Sequence, residues 1–258
     1  MRKILDYSGT NELKQNNFKQ WCDKRGISFF GFDADDTLWE TIPIFVKQMD
    51  KCFDYLSTEL PVLSKQKWKE RIELINNRLF ETISVNPNRW KYVLDEALAN
   101  IPLPEKTQIK ALEILMKIYK TKPKIFKNTI KTIRFIKECG IGVGVITHAN
   151  EKWHLNKMKW TGLDKVIDKS NAYVVDENGH KTAESWESAL SSFGVSPINC
   201  VVVGDSPRSD IIPAREIGAK ETILVRKPDA HRWSVQNAEL NDNCYVVKHI
   251  GEIMNLRD

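Results

Sequence analysis

Hydrophobic and polar positions change texture three times along this chain. Residues 1–26 are polar, with room for a short helix near Glu12–Lys24. Ile27–Phe32 is an unbroken apolar run with aromatics and predicts a buried strand. From Ile42 to about Lys122 apolar residues return at intervals of three and four: Phe45, Met49, Phe53 and Leu56, then Trp68, Ile72, Ile75 and Leu79, then Ile109, Leu112, Leu115 and Ile118. That spacing puts one apolar stripe on each helix. The stretch has no glycine, and Asn86-Pro87-Asn88 and Ile101-Pro102-Leu103-Pro104 divide it into four or five helices.

From Pro123 helical and strand-like segments alternate. Helices are predicted at Asn128–Cys139, closed by Gly140, at Glu151–Thr161, at Ala183–Phe193, at Ser209–Ile217, stopped by Gly218, and at Ile250–Leu256. Strands are predicted at Ile141–Ile146, Cys200–Val203, Thr222–Val225 and Cys244–Val247, and Ala172–Val175 is also strand-like. This alternation implies an α/β fold, a Rossmann-like doubly wound parallel sheet covered on both faces. Ile27–Phe32 belongs to that sheet, so residues 42–122 form an all-helical insertion. Residues 1–41 and 123–258 form the α/β part, with 1–26 as an appendage.

Bulk composition narrows the partners. The chain has 258 residues and a net charge of +5, with acids and bases mixed throughout. That balance suits a small anionic ligand and argues against nucleic acid. The cysteines, Cys22, Cys52, Cys139, Cys200 and Cys244, are odd in number and scattered, as expected in a reducing cytoplasm. Cys139 and Cys200 sit in apolar segments and read as small core residues. Met1–Asn17 lacks the apolar segment of a secretory signal, and no run approaches a membrane span, so no membrane association is expected.

Candidate chemistry lies at three strand ends. Ile27–Phe32 runs into Asp33, Asp35 and Asp36; Gly142–Ile146 into Thr147; Cys200–Gly204 into Asp205, Ser206 and Asp210. In open parallel sheets the ligand crevice lies beyond the carboxyl ends of the strands, so the three sets converge if the strands are neighbours. Crowded carboxylates resist ionising together, a conflict that a hard cation such as Mg²⁺ removes.

These segments resemble the motifs of the haloacid dehalogenase-like hydrolase superfamily. FDADDTLW resembles its first motif, the strand ending in Thr147 its second, Lys181 its third and GDSPRSD at 204–210 its fourth. The helical insertion sits where that family carries its C1 cap. Lys181 precedes Thr182 where many relatives have proline; Lys165 and Lys169 are rivals that fit the position less well.

The resemblance implies a Mg²⁺-dependent phosphatase acting on a small phosphorylated metabolite through an aspartyl-phosphate. Asp33 would be the nucleophile. Asp35 would serve as acid and then base, with a raised pKa favoured by nearby Asp33, and would lend a carbonyl to the metal. Thr147 would offer its hydroxyl to phosphoryl oxygens, with His148 following it. Lys181 would hold Asp33 and the phosphate by charge. Asp33, Asp35, Asp205 and Asp210 would hold Mg²⁺. Asp36 is expected as a turn or capping residue, and Thr37 as one that orders the loop. From the cap, Arg71, Arg78, Arg89, Trp68 and Trp90 are the candidates, with Asn86–Trp90 placed to reach the leaving group. A phosphomutase of the same fold and a silent binding protein are the alternatives. Dehalogenation fits less well, since it needs neither metal nor a leaving-group acid.

Overall fold

The computed structural model of the protein describes residues 2–4, 8–226 and 244–258; positions 5–7 of the appendage and 227–243 of the α/β part lie outside the described residues. The strands are β1 (Arg2–Lys3), β2 (Phe29–Phe32), β3 (Trp39–Glu40), β4 (Lys124–Ile125), β5 (Gly142–His148), β6 (Ala172–Val175), β7 (Cys200–Gly204), β8 (Glu221–Val225) and β9 (Cys244–Val247). The helices are α1 (Asn11–Arg25), α2 (Ile42–Glu59), α3 (Lys65–Ile83), α4 (Arg89–Ala97), α5 (Glu105–Met116), α6 (Thr129–Glu138), α7 (Glu151–Thr161), α8 (Ala183–Ser192) and α9 (Ile212–Glu216).

Seven strands form one parallel sheet in the order β1-β9-β8-β7-β2-β5-β6. The chain leaves β2 toward β5 and β6 on one side, then returns to lay β7, β8 and β9 on the other. The sheet is thus the α/β, Rossmann-like one expected, and its direction reverses beside β2, which opens a crevice there.

Alternation along the strands sorts the core. Phe30, Phe32, Val143, Val145, Val201 and Val203 face one layer, and Phe29, Ile146, Cys200 and Val202 face the other with Trp186 and Leu190 of α8. Helices α2–α5 lie between β3 and β4, which pair antiparallel. Their apolar stripes meet one another in a separate cluster that includes Trp68, Ile72, Trp90 and Leu115, joined from the α/β part by Trp153 of α7.

Three local readings differ from the sequence expectation. The amino-terminal stretch is more than an appendage: β1 pairs with β9, and α1 buries Phe18, Trp21 and Cys22 in the main core. The segment Ser209–Ile217 is not one regular helix. The N–H of Asp210 and that of Ile211 both donate to the Ser206 carbonyl, which makes a wide turn over Pro207–Ile211 before α9. Pro213 has no N–H to give the regular ladder, so the wider turn sacrifices little. The last helix, Ile250–Asn255, is a tight 3₁₀ helix.

Candidate active site

Asp33 follows β2 directly, and its backbone N–H donates to the Val203 carbonyl at 2.8 Å, which carries it just past the β7 pairing. Its carboxylate is buried and accepts from Lys181 Nζ at 2.5 Å and from the Thr37 hydroxyl at 2.9 Å. Burial pushes this carboxyl up to about 7; Lys181 opposes the shift and Asp210 adds to it.

Lys181 is the hub. Its ammonium lies 2.5 Å from both Asp33 and Asp210 and stands over the Trp186 ring. Burial alone would discharge it, but the two carboxylates outweigh burial and hold it charged, above its ordinary value. Lys165 and Lys169 are exposed on short turns.

Asp210 is buried, and its carboxylate accepts from the Ser206 N–H at 2.9 Å. Gly204 makes the space: a Cβ there would collide with the Asp210 side chain. Asp205 is half-buried, 3.5 Å from the Thr37 hydroxyl. Asp33, Asp205 and Asp210 each bring a carboxylate oxygen within 4.8 Å of the others. Three hard oxygen donors this close form a set suited to Mg²⁺.

Thr147, the last residue but one of β5, is fully buried, and its hydroxyl has no partner among the described residues. His148 is half-buried, with Nε2 3.2 Å from the Ser84 hydroxyl of the helical unit. Burial, helped by the charge of Lys181, pushes its imidazole down to about 4, so the ring is neutral at pH 7.

Asp35 departs from expectation. Its carboxyl sits below the ordinary value rather than above it. Burial would raise it, but Lys157 Nζ lies 2.5 and 2.7 Å from its two oxygens and the Trp39 indole N–H donates at 2.5 Å. These donors favour the ionised form more than burial disfavours it. Asp36 has a φ of 59° and accepts from the Thr41 and Ile42 N–H groups, so it turns the chain and caps α2.

Sequence reasoning missed Lys157. It is fully buried on α7, between the rings of Trp153 (3.8 Å) and Trp39 (5.4 Å). The signal was weak: one lysine among polar neighbours, marked only by Trp153 one turn earlier.

The helical unit meets this edge through the end of α3. A cavity of about 720 Å³ is lined by Asn77, Phe80, His148, Lys181, Ser206 and Arg208 among others. Asn86 donates to Asn178 at 2.6 Å, so the loop before α4 does reach the α/β part. Arg78 instead lies on the surface with Glu96, and Arg71 does not line the cavity. Trp68 and Trp90 are buried in the helical cluster. Arg89 is buried, its Nε donating to Asn76 at 3.0 Å.

A sequence model of the haloacid dehalogenase-like hydrolases matches residues 31–224. The chain is 25% identical over 236 residues to the glyceraldehyde 3-phosphate phosphatase of Pyrococcus furiosus, covering 89% of this chain and 92% of that one. Its fold is similar to a haloacid dehalogenase-like family hydrolase from Xanthomonas campestris (TM-score 0.72, 18% identity, 90% and 91% of the chains covered). It is similar also to a phosphatase of this fold from Thermococcus onnurineus (TM-score 0.63, 21% identity, 88% and 96% covered). A 2-haloacid dehalogenase from Pseudomonas syringae is alike to the same degree (TM-score 0.62, 21% identity, 88% and 96% covered).

Proposed function

The chain belongs to the haloacid dehalogenase-like hydrolase family, and from that premise we propose that it is a Mg²⁺-dependent phosphatase of a small phosphate monoester. The observation that carries this reading is Lys181 held between Asp33 and Asp210, with Asp205 completing a carboxylate triad. A halide leaves unaided and needs no such triad. The phosphatase relative from Pyrococcus furiosus adds support.

In this reading Asp33, Asp205 and Asp210, with the Asp35 carbonyl, would hold Mg²⁺. The bound ion supplies neutralising charge to phosphoryl oxygens. An Asp33 oxygen attacks phosphorus as the bond to the leaving oxygen breaks, giving an aspartyl-phosphate. Water then attacks phosphorus, the Asp33–phosphate bond breaks, and inorganic phosphate departs. Lys181 opposes the burial that raises the Asp33 carboxyl, and Thr147 offers its unpartnered hydroxyl to a phosphoryl oxygen.

Asp35 protonates the leaving oxygen in the first half and takes the proton of water in the second. Paired with Lys157 it is ionised, the state that the second half requires. The first half requires that pair to loosen so that Asp35 takes up a proton. Helices α2–α5 act as the cap, which admits one water and excludes the rest.

Among the described residues no helix is long and apolar enough to cross a membrane, and the five cysteines are free and buried, in keeping with a cytoplasmic enzyme. The test is phosphate release from a panel of phosphomonoesters in Mg²⁺ by wild type and Asp33→Asn. Release by wild type and its loss in the variant are expected; equal release by both would assign the nucleophile elsewhere.

A further inference from the structure

Within the helical unit, Arg89 is 4% exposed, and among the described residues no carboxylate lies within ion-pair distance of its guanidinium. Its Nε donates to Asn76 Oδ1, while its Nη1 has no partner among the described residues. Asn76, 1% exposed, has an equally unpartnered Nδ2. Two adjacent buried side chains thus present donors with no acceptor, and one of them is a cation.

Such an arrangement is costly. Buried polar groups are nearly always hydrogen-bonded, and a buried charge without a counter-charge carries a heavy desolvation penalty. Burial lowers the Arg89 pKa, and only the Tyr119 phenol opposes that. A guanidinium stays charged in proteins, so the charge cannot be shed. What is missing is an acceptor-rich, negatively charged group.

The position says whose group it is. The Arg89 guanidinium stands 5.1 Å over the Phe80 ring, and Phe80 with Asn77, the neighbour of Asn76, lines the cavity that also holds His148 and Lys181. Tyr119, whose phenol acts on Arg89, meets Trp153 edge to face, and Trp153 covers Lys157, the partner of Asp35. Arg89 and Asn76 do not themselves line that cavity; Phe80 stands between, so the orphan donors lie one aromatic ring behind its wall.

We propose that Arg89, with Asn76, receives a second anionic group on the substrate's leaving portion, a carboxylate or a second phosphate, entering past Phe80. The inference rests on the phosphatase reading and narrows its substrate class to phosphate esters carrying another anion. Arg89 is then a specificity-determining residue, while the phosphoryl centre stays with Lys181 and the carboxylates.

The experiment compares kcat/KM for paired probes. 3-Phosphoglycerate is set against glycerol 3-phosphate, and fructose 1,6-bisphosphate against fructose 6-phosphate; the two pairs separate carboxylate from phosphate. Wild type should prefer the anionic member of at least one pair by about tenfold or more, the range of a hydrogen bond to a charged group. In Arg89→Met that ratio should fall to about one, while Arg78→Met, on the exposed face, leaves it unchanged. Arg89→Met should melt no lower than wild type, because it removes an uncompensated buried charge. If it does not fold, Arg89→Gln, which keeps a donor toward Asn76, reads the same ratio. No preference in wild type, a preference retained in the variant, or an equal loss on both members of each pair overturns the inference. In each of those cases phosphate release itself leaves the phosphatase reading standing. Release from no ester, 4-nitrophenyl phosphate included, overturns both.

Discussion

Lys157 grips both oxygens of Asp35, at 2.5 and 2.7 Å, from a position that no solvent reaches. The pair joins a carboxylate at the sheet edge to a helix whose Trp153 is packed into the cluster of the helical unit. The helical unit and Asp35 are thus linked through α7. Removing the ammonium in Lys157→Met should free the carboxyl and raise its pKa, since Lys157 is the chief influence holding it down against burial.

The kinetic consequence depends on the leaving group. An aryl oxide departs without a proton, whereas an alkoxide needs one. Lys157→Met, with a poorly placed Asp35, should lose about tenfold or more in kcat on alkyl phosphates and distinctly less on 4-nitrophenyl phosphate. Equal losses on both would mean that Lys157 supports the fold and not the acid. On stability, Asp35 has a depressed pKa, so its contribution is present above its unfolded pKa of about 4 and is lost as pH falls through the lower folded value. The variant should therefore lose part of wild type's acid sensitivity below about pH 4, as read from urea midpoints.

Lys181 gives a second, independent test. Its ammonium touches Asp33 and Asp210 at once. Lys181→Met should let Asp33 titrate higher, because burial and Asp210 then act unopposed. kcat/KM should fall by about two orders of magnitude or more, as for loss of one preorganised charge contact. Lys165→Met and Lys169→Met, both at exposed positions, should match wild type. A crippled Lys165 or Lys169 variant beside a healthy Lys181 variant would reverse the assignment.

How much of this was legible beforehand depends on whether a residue's setting is local. Asp33 and Asp205 follow apolar runs, and a strand end is visible in sequence. Asp36 also declared itself, because a carboxylate at φ 59° beside free N–H groups is a local device. Lys157 did not, and Arg89 stood only as one of five cap candidates, with nothing local to mark its burial. Each sits in a polar helix where a cation normally reads as solvated, and only packing against Trp153, Trp39 and Phe80 buries them. The α1 helix was under-read for the same reason: its apolar residues Phe18, Trp21 and Cys22 are few, but they share one face. The Asp35 pKa was read in the wrong direction because Asp33 is near in sequence, while the lysine that decides it is 122 positions away.

Metal dependence is expected from the triad. Three carboxylates within 4.8 Å of one another carry more negative charge than the single Lys181 ammonium offsets, which favours a bound cation. Mg²⁺ should raise the melting temperature of wild type by binding the folded state alone. The shift should vanish in Asp205→Asn, and chelation should abolish phosphate release until Mg²⁺ is restored. Full turnover in chelator would remove the metal from the mechanism.

The protein should also carry a built-in acid weakness at His154, quite apart from the site's carboxylates. This histidine is fully buried on α7, its ring 5.8 Å from that of Trp39, and neither ring nitrogen has a partner among the described residues. Burial, reinforced by the charge of Lys157 and only partly offset by Asp35, pushes its pKa down to about 3. The unfolded chain binds that proton near pH 6.5, so between about 6.5 and 3 the unfolded state holds more protons than the folded one. The contribution is fully present above about pH 6.5 and declines as pH falls, by up to about 1.4 kcal/mol per unit for a single group. His154→Phe keeps an aromatic ring against Trp39 and has nothing to protonate. Urea unfolding at pH 7.5 and pH 5 should show the variant losing less stability than wild type by roughly 1–2 kcal/mol, the span that one such proton covers over that interval. Equal losses in both proteins would mean that His154 finds a proton acceptor when charged, and that the acid sensitivity belongs to the carboxylates alone.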